Sequence, residues 1–572
     1  MDARLFYEVL IGEMQLREGQ PGTAYEIILD AARRTKDEQL FQRAVEIAVR
    51  GQSGEQALAA ARAWRTALPS SRAGHEYTAQ ILLALGRPGE AVEPLRDLLR
   101  LTPPEQLPGA LATIPRLMGR VQDRQEAARY VDEITTPFRT QEGAAASAWA
   151  ASGWGWLAAD DGDRALEALR RALGASAADE SAGLLAVELM KSRPVAEELL
   201  QTHLQARPDS ALVRLAYARR LIESQRLAPA AEQLEVATQL RPEYGGAWIT
   251  LGAVRLDLKQ PAQAEAALNR YLALRESARR AEAQAQAQAR AQAASAPEGG
   301  EGPQGPLLVL STDTATAEQD AQAYLLLAQA AEQRGNLRQA QSWLDRIPEQ
   351  GTSLLVQMRR ASLLARQGRL DQGLALLQHA PASSEAEERA RFQAQSALLR
   401  EAQRWHAAYD LLQQAVTRFP QDADLLYEQA MVAEKLRRYD DMERLLRRII
   451  EIDPKHYHAH NALGFSLADR GLRLEEARRL IVRALELSPG DAFITDSLGW
   501  VEFRLGRLDE ARRLLQQAYE GKPDPEIAAH LGEVLWAQGQ RDEARRIWRE
   551  GQQRDPANQT LRDTLKRLKV RP

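Results

Sequence analysis

Residues 492–523 read AFITDSLGWVEFRLGRLDEARRLLQQAYEGKP, and their spacing decides the fold. Leu498, Leu505, Leu508 and Leu515 recur at helical spacing and predict one buried stripe. Gly506 interrupts the pattern where a turn belongs, and Pro523 closes it, since a residue without an N–H and with a fixed φ cannot continue a helix. Gly499 and Ala511 are small at the places where two helices must approach closely. The stretch therefore predicts two antiparallel helices, and the next one repeats it through Leu531-Gly532, Gly539, Ala544, Trp548 and Pro556.

Outward from this unit, prolines mark a period. Pro208 and Pro242 lie 34 apart, and Pro420, Pro454, Pro489, Pro523 and Pro556 follow one another at steps of 34, 35, 34 and 33. A period of that size predicts a stacked array rather than one globular core. Trp248, Leu251, Gly252, Ala264 and Leu268 repeat the same chemistry upstream, as does Gly464 downstream. Weaker copies run through Gly19, Gly86, Trp154-Gly155, Gly335 and Gly368, and the pattern is marginal between Pro104 and Gln141.

A bulky residue, Leu-Gly, Ala, a bulky residue and a closing Pro resemble the tetratricopeptide repeat (TPR). That resemblance implies an all-α, right-handed superhelical solenoid of about fifteen helical hairpins in two blocks. The blocks are expected at residues 1–276 and 321–556, with a capping helix at 557–572 that places Leu561, Leu565 and Leu568 on one face. Between them, 277–320 runs from an Ala/Gln tract into a Pro/Gly-rich stretch, and no bulky apolar residue occurs from Ser277 to Pro306. The Ala/Gln part is expected to prolong a helix and the Pro/Gly part to act as a linker.

Composition agrees with an all-α chain. Of 572 residues 44% are hydrophobic but only 5% aromatic, and the abundant residues are good helix formers. The 75 Lys+Arg nearly balance 79 Asp+Glu, so nucleic-acid binding by phosphate neutralisation is not expected; Arg437, Arg438, Arg444, Arg447 and Arg448 read as a solvated helix face. The absence of cysteine removes disulfides, thiolate nucleophiles and cysteine metal sites. No run of eighteen apolar residues occurs and Met1 leads directly into a helical pattern, so neither a membrane span nor a leader is expected in this sequence.

No phosphate loop, dinucleotide fingerprint, nucleophile elbow or HExxH helix is present, so the chain is expected to be no enzyme and to need no cofactor. His456, His458 and His460 are weak metal candidates, because no suitably placed carboxylate completes a first shell. Binding is expected instead on the first helix of each hairpin, which lines the inner side of such an array. Phe465, Trp500, Phe503 and Trp536 occupy inward places in three successive units and form the expected partner groove, unless tight winding buries them. An alternative docking surface is the N-terminal hairpin, through Phe6, Val9 and Leu16.

The runs 461–470, 496–500 and 525–536 (NALGFSLADR, DSLGW and PEIAAHLGEVLW) resemble a family of envelope TPR proteins of Gram-negative bacteria. The resemblance implies a lipoprotein on the periplasmic side of the outer membrane, held there by an N-terminal lipid anchor that this sequence lacks. It also implies protein partners, among them a C-terminal processing protease and its substrates. Two other readings are a cytosolic TPR peptide-binding or co-chaperone module and the TPR half of an enzyme completed by another chain. The co-chaperone clamp is disfavoured, because Asn461 is followed at matching places by Asp496 and Ala529.

Overall fold

The computed structural model describes residues 3–294, 311–348 and 353–571, with side chains described outside 290–294 and 311–316. Among the described residues there are thirty-one α-helices and no strand, consistent with about fifteen hairpins and a last helix. The chain forms two compact units, residues 1–335 and 336–572.

In the first unit, α1 (Ala3–Arg17) and α2 (Pro21–Thr35) make the opening hairpin. The marginal stretch after Pro104 also folds as a helical pair, Leu107–Met118 and Arg124–Thr135, although Pro115 lies inside the first of them and obscures its pattern. The unit ends with α3 (Gly245–Asp257), the 34-residue α4 (Pro261–Ala294) and α5 (Ser311–Gln333). The Ala/Gln tract does continue α4; the Pro/Gly part of the expected linker, 295–310, lies outside the described residues. Residues 321–335, expected at the start of the second block, fall in the first unit. Ala330 joins Leu256 and Ala264 in one apolar cluster, and buried Asp320 accepts from the Tyr271 hydroxyl at 2.7 Å and from Arg275 Nε at 3.3 Å.

The second unit is used most below. Its hairpins include α6 (Ala423–Lys435) with α7 (Tyr439–Ile452), α8 (Tyr457–Asp469) with α9 (Leu474–Leu487), and α10 (Ala492–Arg504) with α11 (Leu508–Gly521). They are followed by α12 (Pro525–Ala537), α13 (Arg541–Arg554) and the last helix α14 (Gln559–Leu568). Helix starts are capped locally: Asp491 Oδ1 accepts from the N–H groups of Phe493 and Ile494, and Asp524 does the same for Glu526. Gly506 and Gly539, at φ +78° and +82°, make the turns within their hairpins. A Cβ on Gly499 would lie 2.6 Å from Leu515 Cγ, and one on Gly532 would overlap the Trp548 indole, so both positions set the approach of paired helices.

Arginines tie several hairpins to the next at separations of about one repeat. Arg193 reaches Asp163 at 2.9 Å, Arg447 reaches Glu476 at 2.5 Å, Arg507 reaches Glu475 at 2.9 Å and Arg567 reaches Glu533 at 2.5 Å. These hairpins therefore depend on their neighbours through both apolar stacking and ion pairs.

Candidate partner-binding surfaces

In the second unit the inner positions follow from the helix spacing. Gly464, Gly499 and Gly532 face their own second helices, Ile481, Leu515 and Trp548. The residue after each glycine turns about 100° away from that contact, towards the neighbouring first helices. Phe465, Trp500 and Glu533 occupy these places.

Two of the four expected groove aromatics meet one histidine, and a third packs on one of them. The Trp500 ring stacks on His530 at 4.4 Å between centroids, Phe503 lies 5.2 Å from Trp500, and Phe465 lies 5.9 Å from His530. Trp500 is only 5% exposed and belongs to the apolar core, which corrects the expectation that it stands open in a groove. The reason is close stacking, since α8 reaches α12 across α10. Phe465 and Phe503 are half-buried. Trp536 is separate: it packs on Trp548 at 5.7 Å, with the guanidinium groups of Arg541 and Arg545 over its ring.

His530 itself was not legible as a functional residue. It is buried and its Nδ1 lies 2.9 Å from Asp496 Oδ2. Burial works against its cationic form, but the Asp496 carboxylate, with help from Glu526 and Glu533, outweighs it and raises the imidazole above its ordinary range. Asp496 on α10 is thus joined to α12 by a buried ion pair.

The three histidines considered for metal are otherwise employed. His456 Nδ1 accepts from the Ala459 N–H at 3.1 Å and caps α8, and His460 Nε2 lies 3.1 Å from the Pro454 carbonyl. His458 is exposed and packs on Tyr457 at 4.0 Å. Among the described residues no group of three His, Asp or Glu side chains is arranged to hold a metal ion.

At the other end, α1 carries two apolar faces. Val9 and Leu16 pack on the core, and Gly12 lies against Ile28 of α2. Of the expected N-terminal residues only Phe6, 54% exposed, faces outward. It is joined by Tyr7 at 64%, Leu10 at 43%, Ile11 at 45% and Met14 at 50%. The sequence signal for these was a second apolar stripe at spacings of three and four, offset from the Val9–Leu16 stripe. Among the described residues no helix is long and apolar enough to cross a membrane.

Comparison with known proteins agrees with this architecture. Tetratricopeptide repeat models match residues 39–105, 394–457, 427–492 and 502–568. The chain is thus an all-α solenoid of stacked hairpins whose matched segments are tetratricopeptide repeats. It is 35% identical over 211 residues to the TPR repeat-containing protein PA4667 of Pseudomonas aeruginosa, a match covering 37% of this chain and 36% of that protein. The match therefore spans little more than a third of the relative's length. Among solved structures, a tetratricopeptide repeat protein from Parabacteroides merdae is 17% identical, with a TM-score of 0.36, over 43% of this chain and 98% of that one. TTC0263, a thermophilic TPR protein of Thermus thermophilus, is 23% identical with a TM-score of 0.29, over 32% of this chain and all of the other.

Proposed function

We propose that this chain is a non-enzymatic adaptor that docks a partner protein on the outward face of α1. TPR solenoids are in general protein-interaction scaffolds. One observation carries the location: Phe6, Tyr7, Leu10, Ile11 and Met14 form a contiguous exposed apolar stripe on a single helix. Such stripes on soluble helical proteins mark interaction sites, and their spacing suits an apolar helix of a partner. The finer reading places the adaptor in the bacterial envelope, on the periplasmic side of the outer membrane, presenting substrates to a C-terminal processing protease. It rests on the resemblance of residues 461–470, 496–500 and 525–536 to envelope TPR proteins.

The test is capture from envelope extract by the full chain and by a Leu10→Asp, Ile11→Asp variant, with captured proteins identified by mass spectrometry. Loss of a processing protease from the variant's captures, with an unchanged melting temperature, supports the reading. Equal capture by both proteins removes α1 as the docking face, and capture of cytosolic chaperones by both supports the cytosolic module instead.

A further inference from the structure

The exposed residues of α1 follow a heptad order. Ala3, Tyr7, Leu10, Met14 and Arg17 succeed one another at steps of four, three, four and three, and all five are exposed. That is the spacing with which one helix presents a seam to another. Phe6 widens the seam on one side and Ile11 on the other. Arg4 and Glu18 stand seven residues before and seven after Ile11, and both are exposed. Seven residues are close to two turns, so Arg4, Ile11 and Glu18 lie along one line on the helix. The Glu18 N–H still closes on the Met14 carbonyl at 3.0 Å, so the helical course reaches the end of that line.

The two flanks of the seam differ in how their charges are used. On the Phe6 side, Glu13 accepts from Arg43 Nε at 2.6 Å and from a second guanidinium nitrogen at 2.8 Å. On the Ile11 side, Glu18 has no ion pair among the described residues and accepts from the Gln15 side-chain amide at 3.1 Å. Arg4, whose side chain is 70% exposed, reaches Glu8 at 3.0 Å within its own helix, a pair that water and salt weaken. The line therefore carries a cation at one end, an isoleucine in the middle and an anion at the other end.

Such a line is complementary to itself when reversed. With two copies of α1 antiparallel, Ile11 meets Ile11, Arg4 of each copy meets Glu18 of the other, and Leu10 meets Met14. The Tyr7 ring then lies opposite the Arg17 guanidinium, an arrangement that attracts a cation to the ring face. A parallel pair would set Arg17 against Arg17 and Glu13 against Glu18, so charge selects the antiparallel arrangement. The pairing is isologous and closes at two copies. Two heptads bury less than the roughly 1,200 Å² at the low end of stable interfaces, so the pair is weak and open to exchange.

We propose that the outward face of α1, when no partner occupies it, is covered by α1 of a second copy in antiparallel register, with Arg4 of each against Glu18 of the other. Self-association and partner docking then exclude one another. This regulation rests on the reading of α1 as the docking face.

The experiment is analytical ultracentrifugation of the full chain over about 1–100 µM, the range in which so small an interface exchanges. The mean mass is expected to rise from that of one chain towards that of two. Arg4→Glu alone and Glu18→Arg alone are each expected to weaken association at least about tenfold, because each places like charges at both ends of the pair. An equimolar mixture of the two variants is expected to restore it, since the mixed pair has opposite charges at both ends. Restoration in the mixture shows that both variants are folded. A parent that stays monomeric throughout overturns the proposal, as does association that both single variants keep, because the interface then lies elsewhere. A mixture that stays monomeric overturns the antiparallel register. Capture of the processing protease by the Leu10→Asp, Ile11→Asp variant is scored separately. A monomeric parent whose capture is lost in that variant leaves the docking reading standing without this one. A dimer of the predicted register with capture unimpaired removes the docking reading and the competition with it.

Discussion

Phe6 and Tyr7 of α1 and Trp500 of α10 are all aromatics on the first helix of a hairpin, and they end in opposite environments. On α1, Phe6 and Tyr7 are more than half exposed; on α10, Trp500 is 5% exposed. Both helices are the first of their hairpins, and both bury a small residue against the second helix, Gly12 on Ile28 and Gly499 on Leu515. The difference is the neighbour. Trp500 has α8 before it and α12 after it, whereas no described residue packs over the outward stripe of α1. An inward aromatic in a stacked array becomes core as soon as adjacent first helices close on it, and the same residue type at an uncovered face remains available to another protein.

The largest expected effect that tests this contrast is Trp500→Ala. Removing a buried ring costs about 3–5 kcal/mol, whereas Phe6→Ala at an exposed position stays within about 0.5 kcal/mol. Thermal melts of the two variants measure the gap, and equal melting temperatures would erase the distinction between core and docking aromatic. Next in size is Gly499→Leu, which forces α10 from α11 and is expected to cost about 1–3 kcal/mol or more. Hydrogen exchange should locate the loss in the hairpins around α10, with the first unit's protection unchanged, because stability in such arrays is a sum of neighbour terms. A uniform loss over both units would show a single cooperative block.

A smaller effect comes from the buried His530–Asp496 pair. The folded-state pKa of His530 is raised, so its contribution to stability is fully present below the unfolded value of about 6.5 and is lost as pH rises through the folded value. Denaturant melts of the parent should therefore lose stability on going from mildly acidic to alkaline pH, and His530→Asn should flatten that dependence. An unchanged slope in the variant would remove the pair from the account of how α10 and α12 are held together.

Much of the fold was legible because the repeat announces itself through residues with local consequences. Leu498-Gly499, Gly506, Ala511 and Pro523 each fix a contact, a turn or an end, so the hairpin follows from a single stretch. The unit boundary was less legible. The Ala/Gln tract of α4 has no apolar side chains to signal a partner, yet the earlier part of the same helix packs with α5 through Ala264, Tyr271 and Asp320. At the candidate sites, spacing put Trp500 on the first helix of its hairpin but could not say how closely α8 and α12 approach it. That approach is set by side chains far apart in sequence, Phe465, Asp496 and His530. On α1 the sequence offered two interleaved apolar stripes, and Val9 and Leu16 proved to be the inner one. Which stripe faces the core depends on the position of α2, a tertiary fact.

The arginine–carboxylate bridges between hairpins also have a mechanical consequence. They run along the stack at intervals of one repeat, as with Arg193 and Asp163 or Arg447 and Glu476, and their side chains are substantially exposed. Exposed pairs contribute at most about 1 kcal/mol each and are screened by salt, while the apolar contacts within a hairpin are not. Ionic strength thus acts on one component of each such joint and leaves the apolar stacking beside it intact, so rising salt is expected to loosen the stack slightly between hairpins before it affects any hairpin itself.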